Sequence, residues 1–144
     1  METLRQILKR KNCSLVVRDA QGNITLYYRK GVYDLEDLLE HAPARLRDAE
    51  IADKVIGKAA AAMAIVGGVK SIYAEVMSRK ALPLLLEAGV EYSYGELVDK
   101  IIIPEGDNRC PLESIVDDCQ TAEETVDTLR KHFVEMTNRN NTNK

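Results

Sequence analysis

Asp53-Lys54-Val55-Ile56-Gly57-Lys58-Ala59-Ala60-Ala61-Ala62-Met63-Ala64-Ile65-Val66-Gly67-Gly68 is the stretch on which the fold turns. From Ala59 onward it is apolar on every side, the mark of a helix buried all round rather than one lying on a surface. Its small residues allow neighbouring backbone to approach closely, and Gly67-Gly68 supplies a left-handed stop. The charges Asp53, Lys54 and Lys58 are confined to the opening, which reads as the first two turns of the same helix.

Outward from this helix, alternating and periodic segments frame an α/β domain. Upstream, Leu4, Ile7 and Leu8 share one helical face. Ser14 to Arg18 and Ile24 to Tyr28 read as two strands of a hairpin around the turn residues Asp19 to Asn23. Gly31 breaks the chain, Asp34 reads as the cap of a helix to His41, and Ala42 to Glu50 reads as a connection. Downstream come a strand from Ser71 to Met77, a helix capped by Ser78 and ended by Gly89, and a strand around Val90 to Tyr94. An apolar run at Ile101-Ile102-Ile103 is closed by Pro104. Cys110-Pro111-Leu112-Glu113 opens a short helix with proline at the favoured first position. Thr121-Ala122-Glu123-Glu124 is a capping box for a last helix with a Val126, Leu129, Phe133, Met136 stripe. The predicted organisation is one domain over 1–136 and a disordered polar tail over 137–144.

Composition excludes several classes of function. The 144 residues are 45% hydrophobic and 30% charged, enough apolar material for one ordinary core. Twenty Lys and Arg against 23 Asp and Glu give a net charge of −3, so no basic excess points to nucleic acid or a membrane surface. The amino terminus has no apolar core of signal-peptide length, and Ala59 to Val66 is too short to span a bilayer. The odd count of 3 cysteines, Cys13, Cys110 and Cys119, is unlike a secreted disulfide framework. The expectation from these features is a reducing cytoplasm.

The order of elements, with strand-helix-strand steps after the hairpin, resembles the cytidine-deaminase-like fold, in which helices flank a mixed central sheet. The Asp53 to Ala61 segment, the Ser71-Ile72-Tyr73-Ala74 strand and Cys110-Pro111-Leu112-Glu113 together resemble a small bacterial family, a domain of unknown function with that fold. The likeness spans about residues 10–133. It implies a fold and association as a homodimer, but no established activity. Working zinc deaminases open the buried helix with His-x-Glu and the next with Pro-Cys-x-x-Cys. Here the matching openings carry Asp53, Lys54, Gly57 and Lys58, then Ser78-Arg79-Lys80-Ala81, with no His or Cys. His41 and His132 stand elsewhere. Neither a zinc ion nor any other cofactor is expected.

Three sets of residues remain as site candidates. Lys58, at the mouth of a buried helix, needs a polar partner, and Lys54 four residues earlier shares its predicted face. Gly57-Lys58 is no phosphate loop, because Ala52 and Ala59 stand where Gly and Ser or Thr are required. Cys110 as a helix cap beside Arg109 has its thiolate favoured, with Glu113 within one turn. Ser78 and Arg79 open a helix that faces anions in the ordinary way. The reading is a small anionic or nucleotide-like ligand, with Lys58, Lys54 and Arg109 supplying charge, Ser78 hydrogen bonds, and Asp53 and Glu113 orientation. The rival is a metal-free enzyme with Cys110 as nucleophile or Lys58 as amine, assisted by Glu113. A third reading is a non-catalytic structural or interaction module. On the ligand reading Lys58→Met leaves the fold intact. Tyr27, Tyr28, Tyr73, Tyr92 and Tyr94 are assigned to strand packing.

Overall fold

The computed structural model describes residues 3–29, 32–99 and 115–142. Five strands form one mixed sheet in the order β2-β1-β3-β4-β5: β1 Leu15–Arg18, β2 Ile24–Tyr27, β3 Glu50–Ile56, β4 Ser71–Ser78 and β5 Glu91–Val98. The hairpin β1–β2 is antiparallel, β1 joins β3 antiparallel, and β3, β4 and β5 run parallel. The mixed α/β sheet flanked by helices agrees with the sequence reading. The hairpin loop closes as its composition dictates. The Asp19 carboxylate accepts the N–H groups of Gln21 and Asn23, and Gly22 takes φ +89°.

The helices divide unequally between the two faces. Helix α1, Leu4–Lys11, lies on one face against β1 and β3, the one helix there among the described residues, burying Leu4, Ile7 and Leu8 with Cys13, Val16 and Ala52. Its start is a capping box between Thr3 and Gln6. The opposite face carries α2 (Tyr33–His41), α3 (Lys58–Gly67), α4 (Leu82–Ala88) and α5 (Ala122–Thr142), and most of the core lies there. Helix α3 packs against α2, α4, α5 and β3, which is why it is alanine-rich. Ala61, Ala62 and Ala64 are wholly inaccessible. Gly68 closes α3 at φ +86°, donating its N–H to Ala64 and Ile65.

The decisive stretch is split differently from the sequence reading. Asp53 to Ile56 is not the opening of a helix but the second half of β3, a strand that begins at Glu50 inside the expected connection. Helix α3 starts only at Lys58, with Gly57 as its cap. Ile51, Val55 and Ile56 give the segment its strand preference. Lys54 and Lys58 therefore share no helix face. Lys54 extends to Asn12 at the end of α1, with Nζ 2.8 Å from Oδ1.

Three cap assignments also change. Val32, not Asp34, caps α2, and Asp34 sits in its first turn, where a carboxylate suits the helix dipole. Ser78 does cap, but it caps a 3-10 turn, Arg79–Ala81, that leads into α4. Thr121 accepts the Glu124 N–H as a capping box requires, whereas Glu124 reaches back to the N–H of Gln120. The backbone of α5 continues to Thr142, through most of the tail expected to be disordered; no glycine or proline interrupts it. Gly31, the Ile101–Pro104 run and the Cys110–Glu113 segment lie outside the described residues, as does the side chain of Met136.

Candidate functional site

The carboxyl-terminal ends of β3 and β4 bring together Lys58 and Ser78, while Asp53 lies at the middle of β3 and Lys54 reaches Asn12 beside α1. In an open α/β sheet this end is where ligands bind, because loops and helix N-termini converge there. The register aligns Ile56 with Met77, so Gly57 and Ser78, the two residues that start the following helical segments, stand side by side.

Lys58 is the first residue of α3 and is 7% exposed. Its ammonium donates to the carbonyl oxygens of Asp117 at 3.0 Å and Cys119 at 2.6 Å. The sequence requirement for a polar partner is met, but by main chain. The Asp117 side chain is in turn held by Lys80, with Nζ 2.5 Å from Oδ1. That bond keeps the Asp117 carboxyl below its ordinary range, with a smaller contribution from Lys58. Two lysines from adjacent helix starts thus fasten the segment 117–119 across the sheet end.

Asp53 is the most perturbed group here. It lies in the central strand β3 between Leu15 of β1 and Ala74 of β4, and is 6% exposed. The β3–β4 register passes from Asp53↔Ala74 to Val55↔Val76, and Asp53 Oδ1 accepts the Val55 N–H at 3.2 Å. Burial pushes its pKa up to about 7, against smaller lowering by backbone N–H groups; the carboxylate of Asp34 adds to the rise. Asp34 is itself buried and held by Arg29, whose Nε lies 2.7 Å from Oδ1 and whose backbone N–H reaches Oδ2 at 3.1 Å. No lysine or arginine pairs with Asp53 among the described residues, so its proton is its means of avoiding a buried charge.

Ser78 is inaccessible, and its hydroxyl oxygen accepts the Lys80 N–H at 3.2 Å. Arg79 turns outward to Asp99 at 3.0 Å, so the anion site expected at this opening already has a carboxylate on its arginine. Arg109, Cys110 and Glu113 lie outside the described residues. Val98, the last residue of β5, pairs with Ser78, and Asp117 bonds Lys58, so the described chain leaves and re-enters at this same end. Cys13 and Cys119 are buried in the two core clusters, as expected of small apolar side chains. Desolvation raises the Cys13 thiol above its ordinary pKa, which makes it inert at neutral pH. Among the described residues no group of three or more His, Cys, Asp or Glu side chains is placed to hold a metal ion, and no helix is long and apolar enough to cross a membrane.

A concavity at the opposite end of the sheet went unread in the sequence. It is an open depression of about 560 Å³ where the starts of β3, β4 and β5 meet α1 and the end of β1. Arg5, Arg18, Glu50, Tyr73 and Tyr94 are among its lining. These residues come from five separate elements, and no local pattern joins them.

Comparison with known proteins gives a family and a structural relative. A crystal structure of a DUF1893 family protein (TM1506) from Thermotoga maritima is similar, with a TM-score of 0.78 at 26% identity. The match covers 89% of this chain and 86% of that one. Comparison with curated proteins found no match. The family model TM1506, "Domain of unknown function (DUF1893)", matches residues 3–133, so the chain belongs to that family.

Proposed function

We propose that this domain binds a small anionic or nucleotide-like ligand, without metal, in a cytidine-deaminase-type pocket at the carboxyl-terminal ends of β3 and β4. The observation that carries the reading is Asp53, a buried carboxyl that keeps its proton up to about pH 7. A neutral carboxyl offers one O–H donor and one C=O acceptor side by side. That pair is complementary to the amide or amidine edge of a nucleobase. Perturbed groups of this kind concentrate at functional sites. The first turn of α3, capped by Gly57 without a side-chain bond, supplies N–H groups that favour an anion. Lys58 adds positive potential while its donors hold the carbonyls of Asp117 and Cys119, whereas Lys54, turned to Asn12 at the end of α1, stands on the other face of the sheet. Ser78 adds a hydroxyl, and Arg109 and Glu113 complete the reading from beyond the described residues. In the enzyme variant of this proposal Cys110 is the nucleophile.

One observation favours a second reading, a non-catalytic structural module. Lys58 spends two of its three donors on backbone, as a structural tie does. Ligand affinity against pH separates the two. Nucleobases, nucleosides, nucleoside monophosphates and sugar phosphates are titrated by calorimetry at pH 6 and pH 8. A nucleobase-bearing ligand that needs neutral Asp53 binds about tenfold more weakly at pH 8. Asp53→Asn, which keeps a donor and an acceptor, makes the affinity independent of pH. Absence of binding across the panel, or a pH dependence that survives Asp53→Asn, removes the proposal.

A further inference from the structure

We infer that the α1 face of the sheet is an interface with a second copy of this chain, in which α1 of each copy lies across the β4–β5 half of the other's sheet. Parallel strands are ordinarily covered by helices on both faces. Here α1 covers β1 and β3, and the β4–β5 half of its face has no helix among the described residues. The open depression of about 560 Å³ is the step from the start of α1 down to this bare half.

The bare half is low and acidic. Tyr73 packs against the α1 cluster, and its hydroxyl lies 3.3 Å from where a Cβ of Gly95 would stand, so the tyrosine reaches over β5 at the one residue without a side chain. Ala74 and Met77 both pack in the opposite core, so Glu75 and Val76 between them turn to the α1 side. Leu97 packs in that core too and turns Glu96 the same way, while Glu91 shares the row of Ser71, Glu50 and Arg18. Glu75, Glu91 and Glu96 have no ion pair among the described residues; Lys70, at the start of β4, goes to Glu50 instead. Helix α1 is the complement. Four of its eight residues are Arg or Lys and none is acidic, on a chain whose net charge is −3. Leu4, Ile7 and Leu8 hold it to its own sheet, which leaves Arg5 and Lys9 exposed one turn apart. A helix about 10 Å across matches a strip two strands wide. Basic ridge and acidic strip lie side by side on one face, so a two-fold axis brings each ridge onto the other copy's strip. A merely basic partner would meet α1 as a like charge beside its site, which favours the self-complementary copy.

The test is the oligomeric state of the whole chain, read by analytical ultracentrifugation. A dimer is expected at low salt, its dissociation constant rising about tenfold or more between about 50 mM and 500 mM. Arg5→Glu with Lys9→Glu reverses the ridge, and Glu75→Lys with Glu96→Lys reverses the strip. Each double variant alone is expected to be monomeric, because its ridge and strip then carry like charge. Mixed in equal amounts, the two are expected to form a heterodimer, since each reversed surface meets its opposite. A folding defect cannot restore association on mixing, and circular dichroism checks each fold. The single changes Lys9→Glu and Glu96→Lys, both at exposed side chains, are each expected to weaken the wild-type dimer about fivefold or more. A wild type that stays monomeric at about 100 μM and low salt, a dimer that either reversal leaves intact, or a mixture that does not associate overturns the inference.

Discussion

The two ends of the parallel strands handle polar groups in opposite ways. In the carboxyl-terminal half of the strands Asp53, Lys58 and Ser78 are buried, and each has a main-chain partner: the Val55 N–H, the carbonyls of Asp117 and Cys119, and the Lys80 N–H. At the amino end Arg18, Glu50 and Lys70 meet one another through side chains that solvent reaches. Main-chain partners cannot move away or be replaced by water without local unfolding, whereas exposed side-chain partners exchange freely with solvent and ligand. Charge changes at the first end are therefore expected to register in stability as well as in ligand affinity, whereas at the second end they leave stability nearly unchanged.

The largest expected effect is the pH dependence carried by Asp53. Its folded pKa, about 7, lies above the ordinary 3.8, so between these values the folded state binds more protons than the unfolded state. Stability then falls as pH rises through that window, and the loss is complete above pH 7. The size of the effect is of order 4 kcal/mol, as a difference of about three pKa units implies. Asn in its place keeps an acceptor for the Val55 N–H and cannot ionise. Asp53→Asn is expected to match the wild type near pH 4 and to exceed it by a few kcal/mol at pH 8. Urea unfolding at a series of pH values measures both. A wild-type profile that is flat between pH 4 and 8 would put Asp53 in the same exposed category as Glu50 and erase the contrast between the two ends.

Lys58→Met comes next, and here the structure reverses the sequence expectation that the fold survives unharmed. Methionine removes both donors, stranding the Asp117 and Cys119 carbonyls near the start of α3. A cost of about 2–4 kcal/mol follows from losing two charge-assisted bonds, offset in part by relief of a desolvated cation. Lys58→Arg sharpens the reading: it keeps the charge but not the compact ammonium geometry between two carbonyls, so it is expected to recover only part of the loss. A chemical-denaturation midpoint for Lys58→Met equal to or above that of the wild type would return Lys58 to the role of a ligand-facing charge.

A smaller effect is expected at Gly67, where α3 meets the loop before β3. A Cβ there would stand 2.7 Å from Leu46 Cδ1 and 3.0 Å from Leu46 Cβ, and Leu46 is fully buried. Alanine gains about 1 kcal/mol of helix propensity but forces Leu46 to shift. The net expectation for Gly67→Ala is a loss of about 1–2 kcal/mol, read from thermal or urea unfolding. A stabilised variant would mean that this corner of the core yields more readily than its burial implies.

What the sequence made legible follows the same division between local and distant partners. Helix α3, the hairpin, the strand at Ser71 and the Thr121 cap declare themselves through neighbours within a few residues, so periodicity and turn chemistry suffice to find them. Strand β3 does not. Its charged pair Asp53-Lys54 looks like an exposed helical turn, because the groups that make it tolerable in a central strand, Asn12 and the Val55 N–H, appear only when the chain is folded. The need of Lys58 for a polar partner was legible from its place on a buried helix; that the partner is backbone 59 and 61 residues downstream was not. The depression by α1 was invisible for the strongest form of this reason, since its lining is gathered from α1 and four strands.

The smallest expected effect tests the amino end directly. Arg18 and Glu50 are partners across β1 and β3, 3.4 Å apart, with 25% and 34% of their side chains exposed. An ion pair so open to water gains little over its solvated components, and salt screens it further. Arg18→Gln, Glu50→Gln and the double variant form a cycle whose coupling energy is expected to stay below about 1 kcal/mol and to shrink as ionic strength rises. The single changes should each cost little stability. A coupling of several kcal/mol that salt does not reduce would show that this pair behaves like the buried groups at the carboxyl end. The amino end would then be a second structural clasp, its arginines unavailable to any ligand.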